Sequence, residues 1–166
     1  DAFTDVIADS NGIIYASDSK GYIYVYTRDG ELIFCLGEEA GNNDVSGLFS
    51  SLTTIAVDNN GNIWTADGKK GFIQSFTPTE YATTIYKALQ EYENGDYTDA
   101  LKDWNYVLRL NQMSVLAHNG VAKAYYNDEE YDKAMEHFEI AGNRSGYSDA
   151  FWEVRNKGIQ KDLGAV

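Results

Sequence analysis

Gly95-Asp96-Tyr97-Thr98-Asp99-Ala100-Leu101-Lys102-Asp103-Trp104 is answered downstream by Glu129-Glu130-Tyr131-Asp132-Lys133-Ala134-Met135-Glu136-His137-Phe138. Tyr97 falls on Tyr131, Ala100 on Ala134 and Trp104 on Phe138, each at an offset of 34 residues. Upstream, Ala88 and Tyr92 meet Ala122 and Tyr126 at the same offset. A 34-residue period is the length of a repeated pair of helices. The alanines let two helices approach closely, and Trp104 and Phe138 fill the space between pairs. This decides the second half of the chain as stacked helix pairs.

Helix punctuation extends outward from that core. Thr77-Pro78-x-Glu80 has the form of a capping box with Pro at the first helical position, so the first helix is expected to start there. Asn94-Gly95 ends it. Asn127 or Asp128 is read as the cap of the fourth helix, with Glu129 and Glu130 in its positive first turn. Gly142 ends that helix, and Ser148 begins a fifth over 149–162. The fifth carries Phe151, Trp152, Val154 and Ile159 with a charged outer face, which suits the capping helix of a repeat array.

The first half repeats on a different period. Ile7-Ala8-Asp9-Ser10-Asn11-Gly12-Ile13-Ile14-Tyr15-Ala16-Ser17-Asp18 parallels Ile55-Ala56-Val57-Asp58-Asn59-Asn60-Gly61-Asn62-Ile63-Trp64-Thr65-Ala66-Asp67. Asp9, Gly12 and Asp18 match Asp58, Gly61 and Asp67 at an offset of 49, and Lys20-Gly21 matches Lys70-Gly71 at 50. Asn11-Gly12, Asp29-Gly30 and Asn60-Gly61 predict tight hairpin turns. Short β-branched and aromatic runs lie between them, giving strands near 3–9, 13–17, 22–28 and 31–36. After Phe76 no fourth strand of the second unit follows. Asp9, Asp18, Asp58 and Asp67 recur with the turns, so they are read as residues that satisfy backbone N–H groups.

The strand half resembles the NHL-repeat β-propellers. The matching pieces are Gly47-x-Phe49, Ile55-Ala56-Val57-Asp58, Gly61-Asn62-Ile63-Trp64, Ala66-Asp67 and Phe72-Ile73-x-x-Phe76, with Leu52 where that family usually has Pro. The helical half resembles the tetratricopeptide (TPR) family, with Gln112 and Gly146 in place of its usual Pro. The implied fold is multidomain, β then α. Two antiparallel NHL-type blades in residues 1–77 (about 3–37 and 53–77) form a partial propeller. An all-α segment in 78–166 follows, with repeats at about 81–114 and 115–148 and a capping helix at 149–162. The order resembles bacterial multidomain proteins carrying both repeat types. Further blades are expected upstream of Asp1, because two blades cannot close a ring.

Composition narrows function. The net charge is −13; residues 1–79 hold 11 Asp/Glu against 4 Lys/Arg, and residues 80–166 hold 15 against 9. Neither half has the basic footprint that nucleic acid or an anionic membrane needs. No run approaches the roughly 18 apolar residues of a membrane span, so any membrane association would come from segments outside this chain. Tyr is abundant, at 13. The single Cys35 lies in an apolar run and is read as a buried, inert thiol. His118 and His137 lie in different helices without metal-ligand spacing. No catalytic, metal or cofactor site is predicted.

The tetratricopeptide resemblance implies a concave groove lined by the first helix of each pair. Its candidates are Ile85, Leu89 and Tyr92, then Asn119, Lys123 and Tyr126, then Glu153, Lys157 and Gln160. The competing reading is that two repeats are too short for a groove, and that this face simply packs on other parts of the protein. The function expected is a non-catalytic interaction, scaffold or sensor module for a protein or peptide. The alternative is a fragment of a lactonase- or lyase-like propeller enzyme whose active site lies in absent blades. The incomplete ring predicts self-association through the strand half. The bacterial resemblance implies an extracytoplasmic or membrane-anchored setting.

Overall fold

The computed structural model describes residues 2–41 and 45–163. The chain divides into two compact units between Pro78 and Thr79. The first is built of mainly antiparallel sheets and the second of five helices.

The first sheet runs β1 (Phe3–Ala8), β2 (Ile14–Asp18), β3 (Ile23–Tyr26) and β4 (Leu32–Leu36), all antiparallel and in chain order. β5 (Glu38–Glu39) and β6 (Leu48–Phe49) form a short parallel pair in the segment that links the two sheets. β7 (Leu52–Val57), β8 (Ile63–Asp67) and β9 (Phe72–Phe76) form a three-stranded sheet. Leu52 opens β7 and is buried.

The turns differ from the tight two-residue form expected of Asn-Gly. Asp9 N–H donates to the Ile13 carbonyl and Gly12 N–H to the Asp9 carbonyl. Only the glycine takes positive φ, at 80°. That is a three-residue loop with one left-handed glycine, which spares Asn11 the strained conformation. The same two bonds recur at Asp18–Tyr22, Thr27–Glu31 and Asp58–Asn62. In the loop after Asp67 the Gly71 N–H reaches the Asp67 carbonyl across one extra residue. This insertion is why the repeat offset changes from 49 to 50.

The two sheets are joined at β1 and β7. Asp5 Oδ2 accepts from Thr54 Oγ1 at 2.7 Å and from Ile55 N at 3.1 Å. Gln74 pins the linking segment, accepting from Gly47 N at 2.8 Å and donating to the Leu48 carbonyl at 3.3 Å. Tyr15, Ile23 and Val25 are fully buried. Their counterparts in the second sheet are not: Trp64, at the position of Tyr15, is 44% exposed, and Ile73, at that of Ile23, is 70% exposed.

The helices are α1 (Glu80–Asn94), α2 (Tyr97–Leu110), α3 (Val115–Asn127), α4 (Tyr131–Ile140) and α5 (Arg144–Leu163). Each packs on its successor, and α3 also meets α1 and α5. Ala88, Ala100, Ala122 and Ala134 are fully buried at the helix crossings. Trp104 packs directly on Gly120, and Phe138 on Gly146.

Three helix ends correct the expectation. Thr79, not Thr77, caps α1, accepting from Ala82 N at 3.3 Å, so Pro78 lies outside the helix. The fourth helix is capped at Glu130, without a side-chain cap bond, rather than at Asn127 or Asp128. α5 begins five residues before 149, because Asn143 Oδ1 accepts from Gly146 N at 2.9 Å and starts the helix there. Asn94 and Gly95 end α1 as expected: Gly95 has φ 84°, and its N–H reaches the Glu91 and Tyr92 carbonyls.

Candidate functional site

The nine groove residues divide by burial. Ile85 is fully buried and Asn119 is 6% exposed, so both brace the stack rather than line a surface. Asn119 Oδ1 accepts from Asn143 Nδ2 at 2.8 Å, tying α3 to the start of α5. Leu89, Tyr92, Lys123 and Tyr126 are half-buried along α1 and α3, and Glu153 is half-buried on α5. Lys157 and Gln160 are exposed on α5.

The half-buried set sits in a repeated aromatic arrangement. Tyr92 packs on Tyr97 with ring centroids 5.4 Å apart, and Tyr126 on Tyr131 at 5.2 Å. Each pair joins the end of a first helix to the start of a second. Asn127 Nδ2 donates to Tyr92 Oη at 3.0 Å and to the Lys123 carbonyl at 2.8 Å, linking the two repeats. Burial, reinforced by the carboxylates of Glu153 and Asp149, holds the Tyr126 phenol above its ordinary pKa.

Beside this row, at the α3–α4 turn, is a cleft of about 430 Å³ lined in part by Glu129, Tyr131, Val154 and Lys157. Lys157 Nζ lies 2.9 Å from Glu129 Oε2 and 4.6 Å from the centre of the Tyr131 ring. Its hydrogen bond to Glu129 raises the lysine's pKa. Glu129 itself has φ 60°, the only positive value outside glycine among the described residues. Its partner in the first repeat is Gly95.

In the strand half, carboxylates are occupied with the backbone. Asp9 and Asp58 each accept two N–H groups of their own turns at 2.9–3.0 Å. Asp18 does the same toward Lys20 and Tyr22. Asp67 accepts four, from Ser50, Ser51, Lys69 and Lys70. Hydrogen bonds from Asn62 and Trp64 lower the Asp58 pKa to about 2. No group of three or more His, Cys, Asp or Glu among the described residues is placed to hold a metal ion.

One residue departs from the sequence reading. Cys35 is exposed, not buried, because it pairs with Tyr24 on the open face of the first sheet. Partial desolvation, and then Asp18, push its thiol pKa up. His118 and His137 meet, Nδ1 to Nδ1 at 3.0 Å, with His118 Nε2 3.0 Å from the Gln112 carbonyl. A carbonyl only accepts, so His118 carries its proton on Nε2 when neutral, and His137 Nδ1–H donates to His118 Nδ1. The pair was legible in principle: antiparallel α3 and α4 bring residues at comparable distances on either side of the 127–130 turn near one another, and His118 lies nine residues before it and His137 seven after. The sequence also aligned Tyr97 with Tyr131 and Gly95 with Glu129 without assigning them to the groove.

A scan against protein-family models found none that matches the chain, and no curated protein matches it.

Proposed function

We propose that the chain is a non-catalytic protein-interaction module, with NHL-type blades in its strand half and tetratricopeptide-type repeats in its helical half. The helical half holds an extended peptide along Leu89, Tyr92, Lys123 and Tyr126. The observation that carries this reading is the recurrence of the Tyr92–Tyr97 pair as Tyr126–Tyr131, one helix pair on. Rigid aromatic faces beside amide and amine donors suit an extended backbone with mixed side chains. The engagement of Asp9, Asp18, Asp58 and Asp67 with backbone N–H groups supports a structural role for the recurring carboxylates. The test is to select binders from a random peptide library on the full chain, then titrate them against Leu89→Glu and Tyr126→Ala. Affinity should fall about tenfold or more, a loss of about 1.4 kcal/mol. Selected peptides indifferent to both substitutions refute the groove.

A further inference from the structure

Resting on that reading, we propose that the cleft at the α3–α4 turn takes a lysine or arginine side chain of the bound peptide, and that Lys157 is the resident cation it displaces. The cleft already displays the chemistry of ammonium recognition. A carboxylate oxygen lies 2.9 Å from the Lys157 nitrogen, and the face of Tyr131 lies 4.6 Å from it. An aromatic face and a carboxylate together hold a cation better than either alone. The volume of about 430 Å³ leaves room beside Lys157 for a second long side chain.

The comparison between repeats isolates what is special here. The turn of the first repeat has Gly95 at φ 84°, the natural residue for a left-handed conformation. The second repeat has Glu129 at φ 60°, where a side chain is disfavoured. That carboxylate reaches the cleft, which gives the second turn a cation-binding group the first one lacks. Along the adjoining surface, Tyr126 stands by Glu153 and Asp149. Glu129, Glu130, Asp132, Asp149 and Glu153 outnumber Lys123, Lys133 and Lys157 along the path from groove to cleft, and Lys133 is already paired with Glu130, so the surface has an acidic excess complementary to a basic segment. Lys157 is half exposed, and surface ion pairs of this kind are weak, so exchange of one ammonium for another costs little.

The probe is a fluorescein-labelled decapeptide of alternating lysine and serine, followed by anisotropy on the full chain at low salt. Lys157→Ala should tighten binding about threefold or more, a gain that misfolding cannot produce. Lys102→Ala, which removes the same charge elsewhere, should not. Glu129→Gln should weaken binding about threefold, the scale of one exposed ion pair, whereas Glu139→Gln should have little effect. Acetylation of the peptide's lysines should abolish binding. Equal effects of Lys157→Ala and Lys102→Ala, or of Glu129→Gln and Glu139→Gln, would mean bulk attraction to an acidic protein and would overturn the proposal. If library-selected peptides depend on Leu89 and Tyr126 but not on Glu129 or Lys157, the cation site is refuted and the groove stands. If no peptide of any charge binds, both are refuted.

Discussion

Gly120→Ala and Gly158→Ala make the same chemical change in two helices and should move stability in opposite directions. At Gly120 an added Cβ would lie 2.3 Å from Trp104 Cε2 and 2.5 Å from Nε1. Relaxed carbon contacts need about 3.5–4.0 Å, so the indole must retreat by more than about 1 Å. Trp104 is 1% exposed, and Val107 and Val121 of the same core are fully buried, which leaves it little room. Overpacking of this severity costs about 3 kcal/mol, the upper end of the usual range. The intrinsic preference of a helix for Ala over Gly returns about 1 kcal/mol. The net loss is about 2 kcal/mol. At Gly158 nothing lies within 4 Å of the added Cβ, so only the gain of about 1 kcal/mol remains. For a unit of this size, each kcal/mol moves the midpoint by about 4–8 °C. Thermal melts of the full chain, followed by helical circular dichroism, should therefore place Gly120→Ala about 8–16 °C below wild type and Gly158→Ala about 4–8 °C above. A Gly120→Ala midpoint raised as much as that of Gly158→Ala would show that Trp104 is not seated on Gly120, and that the helix stacking is wrong.

Acid should weaken the helical unit through the histidine pair. Burial, and then the charge of His118, lower the His137 pKa from 6.5, with Glu136 opposing. The unfolded chain therefore takes the proton first. Stability should be complete above pH 6.5 and fall as the pH drops below it; a urea midpoint flat from pH 7.5 to 5.5, or an equal slope in His137→Gln, contradicts this. Asp67→Ala should destabilise the strand half by at least about 3 kcal/mol, since four backbone N–H groups lose their acceptor; an unchanged denaturation curve contradicts it. The exposed Trp64 and Ile73 occupy the positions of the buried Tyr15 and Ile23, so the strand half should self-associate. Light scattering should show the whole chain larger than a monomer at high micromolar concentration, and residues 79–166 alone monomeric; a monomeric whole chain overturns this.

Local repetition made much of the fold legible. Asp-x-x-Gly and the strands around it lie within a dozen residues of one another, so hairpin pairing could be read directly, although the turn form could not, because Asn-Gly masked a three-residue loop closed by the aspartate. The helix-pair period was equally plain, because Ala100 and Ala134 can face a neighbouring helix only at that spacing. What escaped the sequence depends on contacts between elements. The start of α5 is set by Asn143, which serves both as a cap and as a partner of Asn119 on α3. Cys35 sits in an apolar run, yet its face of the sheet is open. Ile85 and Asn119 share the helix face of Leu89 and Lys123 one turn earlier, but there the neighbouring helices cover them, with Ile85 fully buried and Asn119 6% exposed. Glu129 was visible as a mismatch to Gly95. Only the backbone angle and the position of Lys157 make it informative.

The most direct test of the account is the map of backbone amide shifts when a library-selected peptide is added to the labelled full chain. The account predicts that Leu89, Tyr92, Lys123, Tyr126 and Lys157 move together and that the strand half stays still. Shifts confined to residues 2–78, with α1 and α3 unmoved, would contradict it.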